Sequence, residues 1–527
     1  MTPKTLAATA PDSTPSLADR PDPMIAQLAV RERYRDTYWR ELDPIVSHRL
    51  LWRAQTLRHT VHLLPGQRIL ELGAGEGRFT WALRGVTREE NPITAVTFQP
   101  SSDAPERAAP FAEKITLSAF PGVLAGREFD CIVAMDLLDN SNASELLSHV
   151  YSLLAPGGEI MFYESNPWNP VYRFRALASR LVRRKDPRSL LPKPRLYELL
   201  SEIGFIRVYS VYNDFVFAPL TENLIWFLRN ASILLENAPI VSRLAGSILL
   251  HAQKPPRKKE EKRVSLFQHE CLRDAVSVVI PAYNEEMNVE PLVSSLLGLY
   301  GEYIHEVIVV NDNSKDATGA VIERLQAADP RVKPLHRRPP NGVGRAIADG
   351  LRAAQGRYVL TMDCDFQHLL PELRDLFDAA AEGHDVVVGS RFSRHSVLLN
   401  YPFMKIVANR TFHFLARLLL RHHFRDVTNN LKLLKREVVT NLQLQQPGFA
   451  INAETGLQPY LLGYKIQEVP ISWINRTPGM GSSSFRLVKV GGGYWRVLLG
   501  LWQKAALGRG PYRGLTRQPR KTADVVG

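Results

Sequence analysis

Three cysteines in 527 residues are too few for a disulfide framework, and Cys131, Cys271 and Cys364 show no metal-binding spacing. Reduced thiols are the plain expectation. Long apolar runs are missing too: no 18 consecutive apolar residues occur, so no transmembrane helix is expected. The opening stretch "MTPKTLAATAPDSTPSLADRPDP" has no apolar core of the signal-peptide kind and reads as a flexible tail. Internal repeats are absent. So are the helix-turn-helix and aromatic signatures that would accompany nucleic-acid binding, and no nucleic-acid partner is expected.

What the chain has is apolar content for large cores, 45%, and an excess of positive charge, +13. The basic residues cluster at 172–188, 254–263 and 509–521. Such clusters suit an anionic membrane surface, where each basic residue contributes about 1 kcal/mol. The Pro/Lys/Glu run at 254–263 is also the clearest domain boundary. An α/β chain of two domains follows, one in 31–254 and one in 275–480. A tail precedes them over 1–30, a basic linker joins them over 255–274, and an amphipathic, basic segment closes the chain over 481–527.

In the second half, three apolar strands each run into a polar turn. "AVSVVIPAYNEE" (275–286) ends in Pro281, Tyr283 and Glu285; "HEVIVVNDNSKDAT" (305–318) leads into Asp312; and "GRYVL" (356–360) precedes "MDCDFQH" (362–368). Helical patterns follow the first two, which implies βαβ units and a parallel sheet, with ligands beyond the strands' carboxyl ends. Asp363 and Asp365, two positions apart at a strand exit, share a face. Hard cations such as Mg²⁺ are held by one or two carboxylates plus phosphate oxygens. Tyr283 can stack on a base and Asp312 can accept from a base N–H. The order suits a nucleotide diphosphate.

Residues 275 to about 505 resemble a family 2 glycosyltransferase of the polyprenyl-phosphate (dolichol-phosphate) mannose synthase type. The matching pieces include "PAYNE", "VVNDNS", "NGVGRAIADGL", "MDCDFQH", "VVVGSRF", "DVTNNLKLLKREV" and "GYKIQEVPISWINR". The resemblance implies a glycosyltransferase A-type fold, a nucleotide-diphosphate sugar as donor and Mg²⁺ or Mn²⁺ as cofactor. It puts Pro281, Tyr283, Glu285 and Asp312 at the nucleotide. Asp363, Asp365 and Gln367 fall at the metal, Arg391 near the sugar-phosphate and Arg476 at phosphate. The chain departs from the family at Asn311, which usually is an acid, and at Thr428-Asn429-Asn430-Leu431, where Thr-Ser-Gly-Phe is usual.

A polyprenyl phosphate acceptor is already anionic and needs cations more than a base. Arg476 and Arg486 are the candidates, arginine being suited to bidentate phosphate contacts. A neutral hydroxyl on a glycan would instead need a base. Glu454 is either that base or a structural acid at a helix start. Between Val397 and His423, Arg410, Arg417 and Arg421 fall within roughly 20° of one another on a helix, with leucines on another side. That pattern suits a helix lying in a membrane interface, on the cytoplasmic face.

The first half carries "GQRILELGAGEGRFTWAL" (66–83), a strand followed by Gly73, Gly75 and Gly77 and then a helix. Such glycines let a ligand approach backbone amides at a helix N-terminus. With "FDCIVAMDLLDN" (129–140) and "LAGSILLHAQKP" (244–255), residues 31–255 resemble a class I S-adenosylmethionine-dependent methyltransferase with its Rossmann-like fold. The resemblance implies that Glu71, Gly73, Gly75 and Gly77 hold the methionine end of S-adenosylmethionine, and that Met135 and Asp136 lie at the exit of strand four. One departure stands out. The acid expected after the second strand, for the ribose hydroxyls, is replaced near Thr97 and Gln99. The domain is therefore either a working methyltransferase or a docking module without chemistry.

Overall fold

The computed structural model describes residues 22–99, 112–181, 189–216, 222–256, 264–365, 370–474, 487–509 and 511–512. Two seven-stranded sheets organise it. The first comprises β1 (Ile69–Leu72), β2 (Ile93–Thr97), β3 (Glu113–Thr116), β4 (Phe129–Met135), β5 (Leu154–Ser165), β6 (Ile206–Asn213) and β7 (Ser247–Gln253). Their order is β3-β2-β1-β4-β5-β7-β6, with β7 antiparallel to both neighbours. Short runs such as "ILEL" in β1 are buried along their whole length, as strands covered on both faces must be. The run Pro156-Gly157-Gly158 lies within β5 at a break in its register with β4, between Phe129 and Cys131.

The second sheet contains β8 (Val276–Ala282), β9 (Ile304–Asn311), β10 (Val332–His336), β11 (Tyr358–Thr361), β12 (Val386–Ser390), β14 (Lys432–Lys435) and β15 (Ile466–Pro470). The order is β10-β9-β8-β11-β14-β12-β15, with β14 running against its neighbours. The remaining strands, β13 (Val397–Leu399) and β16 (Ser472–Ile474), form a separate parallel ribbon. The stretch Val397–His423 is thus not one amphipathic segment. It opens as a strand, and its helix covers only Phe403–Leu420, closed by Arg421 in the left-handed region.

That ribbon ties the halves together. Val397, Leu399 and Ile474 join a core cluster with Trp39, Leu50 and Tyr163 of the first half. Beside it His59 Nδ1 lies 2.5 Å from Glu372 Oε1, and Ser472 donates its hydroxyl and backbone N–H to the same carboxylate at 2.6 and 2.9 Å. Burial alone would raise the Glu372 carboxyl; the His59 imidazole outweighs it and holds the group down to about 2. Arg374 pairs bidentately with Glu90, both contacts 2.6 Å, and Arg58 reaches Asp375 at 2.7 Å. The chain between the halves marks a boundary in sequence; the apolar core crosses it.

The N-terminal helix, Pro23–Glu41, begins inside the stretch expected as tail. Asp22 caps it by accepting from the Met24 N–H, Pro23 fits its first turn, and Met24, Ile25 and Leu28 anchor it in the core of the first sheet.

Candidate active site and cofactor cleft

The carboxyl ends of β8, β9 and β11 open on one cavity of about 1600 Å³. Pro281, Tyr283, Glu285, Asp312, Asp363, Asp365 and Arg391 all line it, so seven positions scattered over 111 residues of sequence converge. Tyr283 is half exposed, its ring free to take a flat partner. Asp312 is buried, its carboxylate paired with Arg337 and accepting from the Gly342 N–H at 2.7 Å. Glu285 accepts from the Asn288 amide.

Two acids at the mouth of β11 dominate the electrostatics. Burial first, and then the neighbouring Asp365, push the Asp363 carboxyl upward. Its Oδ1 accepts from the Asn430 amide at 2.7 Å. Asn430 is one of the departures seen in the sequence, and here it steadies a carboxylate. Arg391 is buried and bidentate on Asp426, at 2.7 and 2.9 Å. Burial works to raise Asp426, but Arg391 outweighs it and keeps the carboxyl at about 2. Sequence reasoning did not single out Asp426 as a site residue; 35 positions separate it from Arg391, and only the fold brings the two together.

Glu454 is not among the residues lining the cavity. Its carboxylate accepts from the Gln445 and Gln446 N–H groups at 2.9 and 3.1 Å, so of the two readings the geometry gives the structural acid. Gln367, Arg476 and Arg486 lie outside the described residues, as does the cluster Arg183, Arg184, Lys185.

Aromatic side chains line the same cavity: Tyr401, Phe412, Trp473, Tyr494 and Trp495, together with Lys405 and Asn409. Phe412 meets Tyr494 and Trp495 edge-on at 5.5 and 6.0 Å, joining the helix Phe403–Leu420 to the helix Leu487–Ala506. On the outer side of the first of these helices Met404, Val407, Phe414 and Leu418 are exposed along one stripe. The three arginines do not share a face. Arg417 and Arg421 are exposed, but Arg410 turns inward with its guanidinium 5.2 Å from the Phe392 ring centre. Among the described residues no helix is long and apolar enough to cross a membrane.

In the first half, β1 is followed by Gly73, Gly75 and Gly77, all at positive φ (71°, 53° and 76°), and Gly77 caps the helix Arg78–Val86. Glu71 is buried and accepts from the Thr80 hydroxyl at 2.6 Å; burial pushes its carboxyl up to about 7. Met135 ends β4, and Asp136 follows at φ 56°, accepting from Ser165. Into this cleft the N-terminal helix inserts four charged side chains. Glu32 accepts from the Gly75 N–H, the Phe98 N–H and the Thr97 hydroxyl, each at 2.9 Å. Arg35 donates to Gly73 O at 2.5 Å and Met135 O at 3.2 Å. Arg31 donates to Leu137 O and pairs with Asp139. Asp36 sits so close to Gly75 that a Cβ there would lie 2.0 Å from Oδ2.

A model of glycosyl transferase family 2 matches residues 277–442, and one of a methyltransferase domain matches 38–208. The chain is 32% identical over 214 residues to polyprenol monophosphomannose synthase of Mycolicibacterium smegmatis, across 39% of this chain and 80% of that protein. The chain belongs to glycosyltransferase family 2. Dolichol-phosphate mannosyltransferase of Pyrococcus furiosus is 30% identical over 206 residues, 39% of this chain and 58% of that one. Glucosyl-3-phosphoglycerate synthase from Mycobacterium tuberculosis, solved with uridine diphosphate, is 21% identical at a TM-score of 0.35, covering 44% of this chain and 82% of that chain.

Within the glycosyltransferase half, the donor set suits a divalent cation. No three His, Cys, Asp or Glu side chains gather among the described residues, but Asp363 and Asp365 form an oxygen pair whose repulsion a cation relieves. S-adenosylmethionine is a different matter. The amides and carbonyls that a glycine loop offers such a cofactor are already bonded to Glu32 and Arg35, and Asp36 fills the space over Gly75. With the N-terminal helix in place the residues do not accommodate it.

Proposed function

We propose that this enzyme transfers a hexose, mannose foremost, from a nucleotide-diphosphate sugar to a polyprenyl phosphate at the cytoplasmic face of an anionic membrane. One observation carries the reading: a single cavity is lined by paired carboxylates and by a cluster of aromatic side chains, and the helix that supplies Phe412 to it bears an exposed apolar stripe. At about 1600 Å³ it exceeds the few hundred to about 1,000 Å³ typical of one small ligand, so it has room for donor and acceptor together. The two relatives, a polyprenol monophosphomannose synthase and a dolichol-phosphate mannosyltransferase, support this substrate class.

In this reading Tyr283 stacks on the base, and Asp312, held by Arg337 and Gly342, orients it. Asp363 and Asp365, with Gln367, would hold Mg²⁺ or Mn²⁺, and the cation would supply positive charge for the departing diphosphate. The acceptor phosphate oxygen attacks the anomeric carbon as the bond to the diphosphate oxygen breaks, and no proton need move. Arg476 and Arg486 are the proposed phosphate cations, and Lys405 lines the same cavity. A glycan hydroxyl acceptor would need a base, and Glu454 is committed to backbone amides.

The test is partition of label. Incubation of the chain, membranes and labelled nucleotide sugar should move label into organic solvent only when polyprenyl phosphate is present. Label that stays in water-soluble glycan would overturn the lipid acceptor.

A further inference from the structure

We propose that the N-terminal helix is the resident occupant of the methyltransferase-type cleft, so that the first domain serves this enzyme as a scaffold and does not bind S-adenosylmethionine. The inference is independent of the sugar-transfer reading.

The sequence spaces Arg31, Glu32, Arg35 and Asp36 at i, i+1, i+4 and i+5, one face of a helix. On an ordinary surface helix these charges would face water. Here they are 6%, 0%, 5% and 7% exposed. Buried charges persist only when paired and hydrogen-bonded, and these are: Arg31 pairs with Asp139, Arg35 with Asp36, and all four side chains have backbone partners.

The partners matter more than the burial. Gly73 and Gly75 follow β1, Phe98 follows β2, and Met135 and Leu137 lie at the end of β4. These are the carboxyl ends of the central strands, where a sheet of this kind binds its ligand. An amino-acid zwitterion joined to a ribose would offer an ammonium to the carbonyls and oxygens to the amides. Arg35 and Glu32 offer the same two chemistries from within the chain. The missing acid at the end of β2 then has a reason: Glu32 takes the Thr97 and Phe98 donors instead. Entry of a cofactor would require the helix to leave, withdrawing Met24, Ile25 and Leu28 from the core they share with Leu70, Leu72 and Val96.

The scaffold role rests on the other side of the domain. Val397, Leu399 and Ile474 complete its core, and the strand carrying Ile474 also carries Trp473, one of the aromatic side chains lining the sugar-transfer cavity.

Calorimetry and amide hydrogen exchange on the full-length chain test the proposal. No saturable heat is expected from S-adenosylmethionine or S-adenosylhomocysteine up to about 1 mM, a concentration that detects even weak sites. The Gly75 and Phe98 amides should be protected without ligand, and unchanged by it. Saturable micromolar binding, or protection at these amides that arises only with ligand, would overturn the proposal. Glu32→Ala with Arg35→Ala should speed exchange at both amides at least about tenfold while the chain stays folded. Unchanged exchange in that folded variant would also overturn it. If the double variant does not fold, Glu32→Gln gives the same readout with the side-chain shape kept.

Discussion

The two clefts sit at equivalent places, beyond the carboxyl ends of parallel strands, and differ in how their charges are balanced. In the sugar-transfer cleft two acids, Asp363 and Asp365, stand side by side at one strand exit, and burial together with the second pushes the first toward its neutral form against the pull of Arg391 and Lys432. In the methyltransferase-type cleft each arginine has its own acid, Arg31 with Asp139 and Arg35 with Asp36, and backbone groups hold Arg35 and Glu32 as well. Like charges brought together at a cavity mark a candidate ligand site. A balanced, hydrogen-bonded set marks a place already filled.

The contrast is sharpest in Asp365→Asn. Sugar transfer should fall at least about a thousandfold with the melting curve unmoved, because the lost charge acts on the reacting phosphates. Glu32→Gln should leave transfer within about threefold of the parent, since surface-remote polar changes seldom reach a second site. Equal losses in the two variants, measured with labelled donor, would break the comparison. Asp426→Ala tests the buried ion pair with Arg391 at the active cleft. Leaving Arg391 buried and alone should cost roughly 3–5 kcal/mol in a denaturant melt.

Glu71 gives a smaller effect with a sign of its own. Because burial raises its carboxyl to about 7, the folded chain favours the protonated form. The stability this contributes is whole below the usual carboxylate range and is lost as the pH climbs through about 7. Glu71→Gln should therefore match the parent near about pH 4 and exceed it by roughly 2 kcal/mol near about pH 8, read from urea melts. Smallest is the outer stripe. Met404→Ser with Phe414→Ser and Leu418→Ser should weaken co-sedimentation with anionic vesicles several-fold, the three side chains together contributing about 1 kcal/mol of partial apolar burial. Unchanged sedimentation would show that the stripe meets something other than lipid.

Much of the active cleft could be read from the chain because each ligand-facing side chain follows an apolar strand, and strand exits are local signals. Pro281, Tyr283, Asp312, Asp363 and Asp365 were all placed by that rule. Asp426 and Trp473 were not, since nothing near them in sequence says which strand exit they will face. The N-terminal helix was the larger surprise. An alternating run such as Arg31-Glu32-x-x-Arg35-Asp36 has the same pattern whether it meets water or a cleft of matching backbone groups. Arg410 erred the same way: helical geometry gives its direction around the axis, but not that Phe392 waits on that side.

The ribbon of β13 and β16 sets how the molecule comes apart. Val397, Leu399 and Ile474 belong to one half by chain and to the other by core. A core that spans both halves cannot melt in one and persist in the other without baring its apolar surface to water. The chain should thus unfold as a single cooperative unit, with one calorimetric transition where its two sheets would suggest two. A nucleotide sugar that binds only at the second sheet would then raise the melting temperature of the first.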